Sequence, residues 1–218
     1  MIFMIKPLSE ARLYTIIDTG YLAGRDVTQI AREMVAGGAD LIQLRAKGHT
    51  PAQIAQMGRA ILAITRDAGV PLIINDHPGV ALEIGADGVH VGQDDQPVSE
   101  VRRLFPGKII VGKSTHSLEQ AEDALAEKPD YTGFGPLFAT PTKPDYTAIG
   151  LEQIARVREI ATVPFFCIGG IKQDNVATVL SKGALGVVIV SEILGSHDMK
   201  TICSWYKKIL LEANPVSS

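Results

Sequence analysis

Short apolar runs alternate with helix-like stretches eight times along this chain. The runs cover 13–18, 41–47, 71–76, 88–93, 108–114, 131–137, 163–169 and 186–191. Most are rich in β-branched residues and nearly continuous, the pattern of strands covered on both faces. Between them, apolar residues recur at helical spacing. Val27, Ile30, Ala31 and Met34 share one face of 27–36, and Ile54, Met57, Ile61 and Ile64 share one face of 53–68. The spacing predicts further helices over 80–84, 98–104, 118–126, 151–160 and 175–180. A last one, 199–213, turns Ile202, Trp205, Tyr206 and Ile209 inward. Punctuation agrees: Thr50-Pro51 reads as an N-cap with proline in the first turn, and Gly69 followed by Pro71 closes that helix.

Eight βα units imply parallel strands joined by right-handed crossovers. No glycine-rich nucleotide turn follows the first strand. The fold class predicted is therefore α/β, a single-domain (β/α)8 TIM barrel over 1–218. The 218 residues sit at the short end of what such a barrel needs, roughly 200–250. Composition is that of an ordinary globular chain, with 46% hydrophobic residues, 21 Gly and 12 Pro. A net charge of −3 provides no basic field for nucleic acid, so an anionic ligand needs a local cluster of cations. Cys167 and Cys203 lack metal or redox spacing and read as reduced thiols. The apolar patch at 2–5 is too short for a signal peptide, and no run approaches the ~20 residues of a membrane span. The expectation is a soluble cytoplasmic protein with small-molecule substrates and no nucleic-acid or membrane partner; a homo-oligomer is compatible with it.

In this fold chemistry gathers where strands end. The second strand ends Gln43-Leu44-Arg45-Ala46-Lys47, and alternation puts Gln43, Arg45 and Lys47 on one face. Two cations at a barrel mouth suit a diphosphate; pairing of Arg45 with a barrel carboxylate is the bland alternative. The third strand ends Asn75-Asp76, and the fourth runs into Gln93-Asp94-Asp95. Carboxylates from adjacent strands can share a hard cation such as Mg²⁺, which takes few protein ligands and completes its shell with phosphate and water. Spacing leaves Asp94 and Asp95 interchangeable, and either can cap the helix near Pro97. The fifth strand ends Gly112-Lys113-Ser114-Thr115-His116. The stretch Gly107 to Ser114 matches a Walker A pattern, but Lys108 to Val111 reads as strand rather than as a flexible loop. Ser114 is left as a donor at the mouth, Lys113 points away from it, and His116 reads as a loop or capping histidine. After the sixth strand, Thr140, Pro141, Thr142 and Lys143 form a long loop suited to clamp an anion. Gly169-Gly170 and Val190-Ser191 end the last two strands, where barrels commonly build a phosphate cup.

Five motifs, in this order on successive strands, carry a family resemblance: Gln-Leu-Arg-Ala-Lys, Asn-Asp, Gly-Val-His-Val-Gly-Gln-Asp-Asp, Thr-Pro-Thr-Lys and Ile-Gly-Gly-Ile. From Leu13 to about Ile193 the chain resembles the thiamine-phosphate synthase family. The resemblance implies that Gln43, Leu44, Arg45, Ala46, Lys47, Asn75, Ser114 and Lys143 hold a pyrimidine diphosphate. Arg45, Lys47, Ser114 and Lys143 would be the catalytic members. It implies Asp76 and Asp95 as Mg²⁺ ligands, and Thr140, Pro141, Thr142, Gly170, Val190 and Ser191 as the thiazole-phosphate site. The implied reaction is dissociative, with diphosphate leaving before the thiazole nitrogen attacks. Lys113 departs from the aliphatic residue usual in the family. A related thiazole tautomerase is the nearest rival, but its acid/base position after the sixth-strand glycine is Pro136, which transfers no proton. A non-catalytic ligand-sensing barrel is the other, and the presence of both Asp76 and Asp95 speaks against it.

Overall fold

The computed structural model describes residues 6–140 and 147–215. Among them, eight parallel strands close into a barrel in chain order. They are β1 (Leu13–Asp18), β2 (Leu41–Arg45), β3 (Leu72–Asn75), β4 (Gly88–Val91), β5 (Ile110–Thr115), β6 (Tyr131–Phe134), β7 (Phe165–Ile168) and β8 (Gly186–Ile189). The connecting helices are α1 (Val27–Ala36), α2 (Pro51–Ala68), α3 (Pro78–Ile84), α4 (Val98–Arg103), α5 (Leu118–Ala126), α6 (Ile154–Ile160), α7 (Val176–Ser181), α8 (Ser191–Gly195) and α9 (Met199–Ala213). Pairing of Leu13 with Val187 and Thr15 with Ile189 closes the ring.

Alternation along each strand sorts side chains into two layers. Outward residues such as Leu44, Ile74 and Cys167 meet the helices, including Ile54, Ile61 and Leu210. Inward residues Tyr14, Ile73, Tyr131, Phe166 and Val188 fill the barrel. Tyr14, Tyr131 and Phe166 meet edge to face, with ring centroids 5.5–5.7 Å apart, the favoured geometry for aromatic quadrupoles.

Helix ends follow the expected chemistry. Thr50 and Gln53 form a reciprocal capping box at α2, and Gly69 closes that helix at φ 67°. At the amino-terminal floor, carboxylates bind backbone N–H groups of neighbouring strands. Asp40 accepts from Arg12 N at 2.8 Å and Leu13 N at 3.0 Å, Asp87 from Leu72 N at 2.9 Å, and Asp130 from Val111 N at 2.8 Å.

Three details differ from the pattern-based reading. Most strands stop one to three residues earlier, because the mouth residues leave the ladder: Asp76 has φ 60° and Gly169 φ 99°. The short helix α8 was not predicted, since five residues carry no helical periodicity. Finally, the buried face of α9 is Met199, Cys203, Tyr206 and Leu210; Ile202, Trp205 and Ile209 are only partly covered. β5 takes up Ile110 to Ser114 of the Walker-like stretch, with Gly107 to Ile109 leading into it outside the ladder, so no helix follows a phosphate loop there. Lys113 is buried and pairs with Glu127 at 3.3 Å, on the helix side.

Candidate active site

One cavity opens at the carboxyl-terminal mouth. Gln43 and Arg45 reach it from β2, Asn75 from β3 and Ser114 from β5; Thr140, Gly170, Val190 and Ser191 line its other side. Leu44 and Ala46 are buried in the outer core, so only their main-chain atoms remain to face a ligand. Pro141, Thr142 and Lys143 lie outside the described residues.

Cations at the mouth are held by carboxylates. Arg45 Nη1 donates to Asp18 Oδ2 at 2.6 Å, a contact set by the Asp18–Arg45 register of β1 and β2. This is the pairing that strand-end chemistry offered as the alternative to anion binding. It also holds the guanidinium in place, and a fork of five donors has capacity beyond one carboxylate oxygen. Lys47, largely exposed, pairs with Asp76 Oδ2. Each pair is a single contact. The Lys47 ammonium is largely exposed, whereas Asp18 is nearly buried under Arg45, so the Lys47 contact is the one worth little as stability and readily exchanged for a stronger anion.

Asp76, Asp94 and Asp95 line a second cleft together with Pro51 and Pro78. The Asp76 N–H donates to His90 O at 2.9 Å, which anchors its left-handed backbone. Asp95 Oδ2 accepts from Gly92 N at 2.7 Å. It is not the cap of α4, whose N-cap is Pro97 with no side-chain bond. Among the described residues no group of three or more His, Cys, Asp and Glu gathers as a self-sufficient metal cage. The donor set is all-oxygen and incomplete, which suits Mg²⁺ shared with a phosphate-bearing ligand.

At the seventh strand the glycines are required. A Cβ on Gly170 would lie 2.7 Å from Phe138 Cβ and 2.9 Å from Ala139 O, and its φ is 65°. The turn therefore packs against the loop that follows β6 and offers main chain to the cavity. His116 Nδ1 lies on Gly135 O, and the residue lines the cavity.

Inward positions below this rim add groups that the strand-end reading did not single out. Tyr14, Asp18 and His90 line the cavity, and Tyr131 lies in hydrogen-bond contact beneath. Parity alone would have found three of them: Tyr14, Ile16 and Asp18 share the inward face of β1, and His90 is inward on β4. Burial pushes the Tyr14 phenol well above its ordinary range, and does the same for Tyr131. Both stay protonated donors.

Fold and cavity together define a (β/α)8 barrel with its polar groups collected at the carboxyl-terminal mouth, the arrangement of barrel enzymes. Residues 13–193 match the family model described as thiamine monophosphate synthase. The chain is 42% identical over 190 residues to a protein of Shouchella clausii named thiamine-phosphate synthase, covering 87% of this chain and 91% of that one. It is 43% identical over 196 residues to one of the same name from Chloroflexus aurantiacus, covering 89% and 90%. A solved structure of thiamine phosphate pyrophosphorylase from Pyrococcus furiosus superposes with a TM-score of 0.85 at 32% identity, covering 94% of this chain and 97% of that one. The chain belongs to the thiamine monophosphate synthase family. No helix among the described residues is long and apolar enough to cross a membrane.

Proposed function

We propose that this protein joins 4-amino-2-methyl-5-(diphosphooxymethyl)pyrimidine to a thiazole phosphate, giving thiamine phosphate and pyrophosphate. One observation carries the reading: in a chain of this family, the polar ends of β2, β3 and β5 and the glycine turn after β7 open onto a single cavity. Gln43, Arg45, Lys47, Asn75, Ser114 and Lys143, with the main chain of Leu44 and Ala46, take the pyrimidine diphosphate. Thr140, Pro141, Thr142, Gly170, Val190 and Ser191 take the thiazole phosphate. Both sites belong to one domain over 1–218.

Asp76 and Asp95 are the residues that would hold Mg²⁺. When bound, the ion supplies positive charge to the leaving diphosphate. The protein's own part is positional and electrostatic. The methylene C–O bond breaks with its electron pair leaving on the diphosphate oxygen. Arg45, Lys47 and Lys143 stabilise that charge, each charge-assisted hydrogen bond contributing roughly 1.5–3 kcal/mol. The thiazole nitrogen, held across the cavity by its phosphate, donates its lone pair to the electron-poor methylene carbon and closes the C–N bond. No residue needs to act as a covalent nucleophile. A cytoplasmic setting is part of this reading, supported by small, highly charged substrates and by two buried free thiols.

The test is pyrophosphate release on mixing the two substrates. Stoichiometric release with Mg²⁺, lost on chelation, supports the reading. Isomerisation of thiazole phosphate alone, with no pyrophosphate, would replace it with the tautomerase. Ligand binding without either reaction would replace it with a sensing barrel.

A further inference from the structure

Beneath the cavity runs an unbroken chain of buried polar side chains. Gln43 Nε2 donates to Tyr14 Oη at 2.5 Å, and Tyr14 Oη lies 2.8 Å from Tyr131 Oη. Tyr131 Oη is 3.0 Å from His90 Nδ1, and His90 Nε2 is 2.9 Å from Ser114 Oγ. Gln43, Tyr14 and Tyr131 are at most 2% exposed, so bulk water does not compete for these bonds. The chain is made possible by Gly112, where a Cβ would fall 2.1 Å from Tyr131 Cζ and 2.6 Å from His90 Nδ1. The strand-end reading gives a role to its two ends, Gln43 and Ser114, and none to its middle.

Each phenol carries one proton, so with the Gln43 amide donating to Tyr14 and a neutral imidazole the direction of every later bond follows. Tyr14, accepting from the Gln43 amide, gives its proton to Tyr131. Tyr131 in turn gives its own to His90 Nδ1. That nitrogen must then be bare, so the proton of the neutral imidazole sits on Nε2 and is donated to Ser114 Oγ. Ser114 is left with its hydroxyl proton to direct into the cavity. At the other end, Gln43 has spent an N–H on Tyr14; among the described residues its Oε1 has no protein donor, and no buried side-chain polar atom lacks a partner, so that oxygen reaches the cavity. Burial raises the pKa of both phenols, which keeps the protons the sequence of bonds requires. Run in the opposite sense, with the amide turned over, the same chain would put the imidazole proton on Nδ1 and invert both ends.

We infer that Tyr14, Tyr131 and His90 are positioning residues: a one-way hydrogen-bond relay that locks His90 as its Nε2–H tautomer and presents Gln43 as an acceptor and Ser114 as a donor to the substrate ring. The inference rests on the proposed function for the identity of that ring. An aminopyrimidine offers the complementary set, an amino donor and a ring-nitrogen acceptor, and Ile16, Ile168 and Val188 supply apolar walls for a flat ring. A ring with the opposite pattern meets two like groups, and unmatched buried polar groups cost far more than matched ones gain. The relay is therefore a specificity device, with Tyr14 and His90 one hydrogen bond behind Gln43 and Ser114 and Tyr131 two behind.

Histidine-labelled protein tests this by long-range ¹H–¹⁵N correlation spectra, with His90 assigned through His90→Asn. In the unmodified protein the relay requires a pyridine-like Nδ1 and a pyrrole-like Nε2. A protonated Nδ1, or a mixture of tautomers, overturns it. Tyr131→Phe cuts the chain in the middle. His90 is then expected to lose its single tautomer, and the KM for the pyrimidine diphosphate to rise at least about tenfold, one hydrogen bond's worth. The KM for the thiazole phosphate is expected to stay within about twofold. An unchanged tautomer with an unchanged pyrimidine KM contradicts the relay. If Tyr131→Phe does not fold, Tyr14→Phe makes the same cut one bond away, and the tautomer of the unmodified protein decides on its own. A protein that shows the required tautomer yet releases no pyrophosphate would sink the proposed reaction and leave the relay standing.

Discussion

The two ends of this barrel use the same residue type in opposite ways. On the floor, Asp40, Asp87 and Asp130 accept from backbone N–H groups at strand starts, and Asp40 also holds Lys207 at 2.5 Å. Each gives at least one lone pair to main chain of a neighbouring strand, which does not move, although Asp40 and Asp130 also pair with Lys207 and Arg102. At the mouth, Asp18 and Asp76 face the side chains of Arg45 and Lys47, and Asp95 accepts one local N–H. Arg45 and Lys47 are long, charged and able to turn to another anion, while Asp18 and Asp95 also accept the local N–H groups of Gly20 and Gly92. The difference is where the main-chain bond reaches: the floor carboxylates tie one strand start to another element, whereas Asp18 and Asp76 hold mobile cations over the cavity mouth.

The largest effect is expected on the floor. Asp40→Ala strips Arg12 N and Leu13 N of their acceptor and leaves Lys207 unpaired in a mostly buried position. Urea unfolding should show a loss of about 3 kcal/mol, with kcat/KM of the folded fraction within about twofold. A loss below about 1 kcal/mol would erase the contrast from that side. Next comes the mouth. Asp95→Ala should lower turnover at least about a hundredfold, about 2.7 kcal/mol of barrier, with little change in melting temperature. Arg45→Ala should cost as much turnover and in addition some stability, because the nearly buried Asp18 loses its partner. Steady-state rates within a few-fold of the unmodified protein would remove either residue from the chemistry.

A third test addresses the wall between the two ends. Burial pushes the Cys167 thiol from an ordinary value of 9.0 up to about 12, and Cys203 likewise. A thiol that ionises only in the unfolded chain contributes stability that is complete below pH 9 and is lost as pH rises toward 12. At pH 10 each should withdraw on the order of 1 kcal/mol, so Cys167→Ala should flatten the decline between pH 8 and pH 10 by about that amount. An identical decline in the variant would show that the thiol is ionised, or exposed, in the folded state. The smallest effect is assigned to Lys113→Met. That substitution removes only the cation of the Lys113–Glu127 pair on the helix side. Glu127 is about a third exposed and keeps the Val98 N–H it accepts at 2.9 Å, so stability should change by less than about 1 kcal/mol and KM for both substrates should not change. A tenfold change in either KM would bring Lys113 back to the mouth.

The barrel was legible because eight near-continuous apolar runs separated by helical periods admit few other topologies. The rim of the mouth was legible for the same reason, since strand ends fix where Gln43, Arg45, Asn75 and Ser114 must sit. What alternation did not announce was pairing. Asp18 with Arg45, and Lys47 with Asp76, depend on the register of neighbouring strands and on rotamers, which no single-strand pattern encodes. The Tyr14–Tyr131–His90 chain was hidden more deeply. Each member looks like an ordinary core residue until the closed ring brings β1, β4 and β6 face to face around Gly112.

Calorimetric titration of inorganic pyrophosphate in the presence of Mg²⁺ bears most directly on the claim that the mouth's paired charges exist to be redeployed onto a diphosphate. The account predicts binding by the unmodified protein, weakened at least about a hundredfold in Arg45→Ala and lost when Mg²⁺ is chelated. Equal affinity in Arg45→Ala, or binding indifferent to the metal, would contradict it.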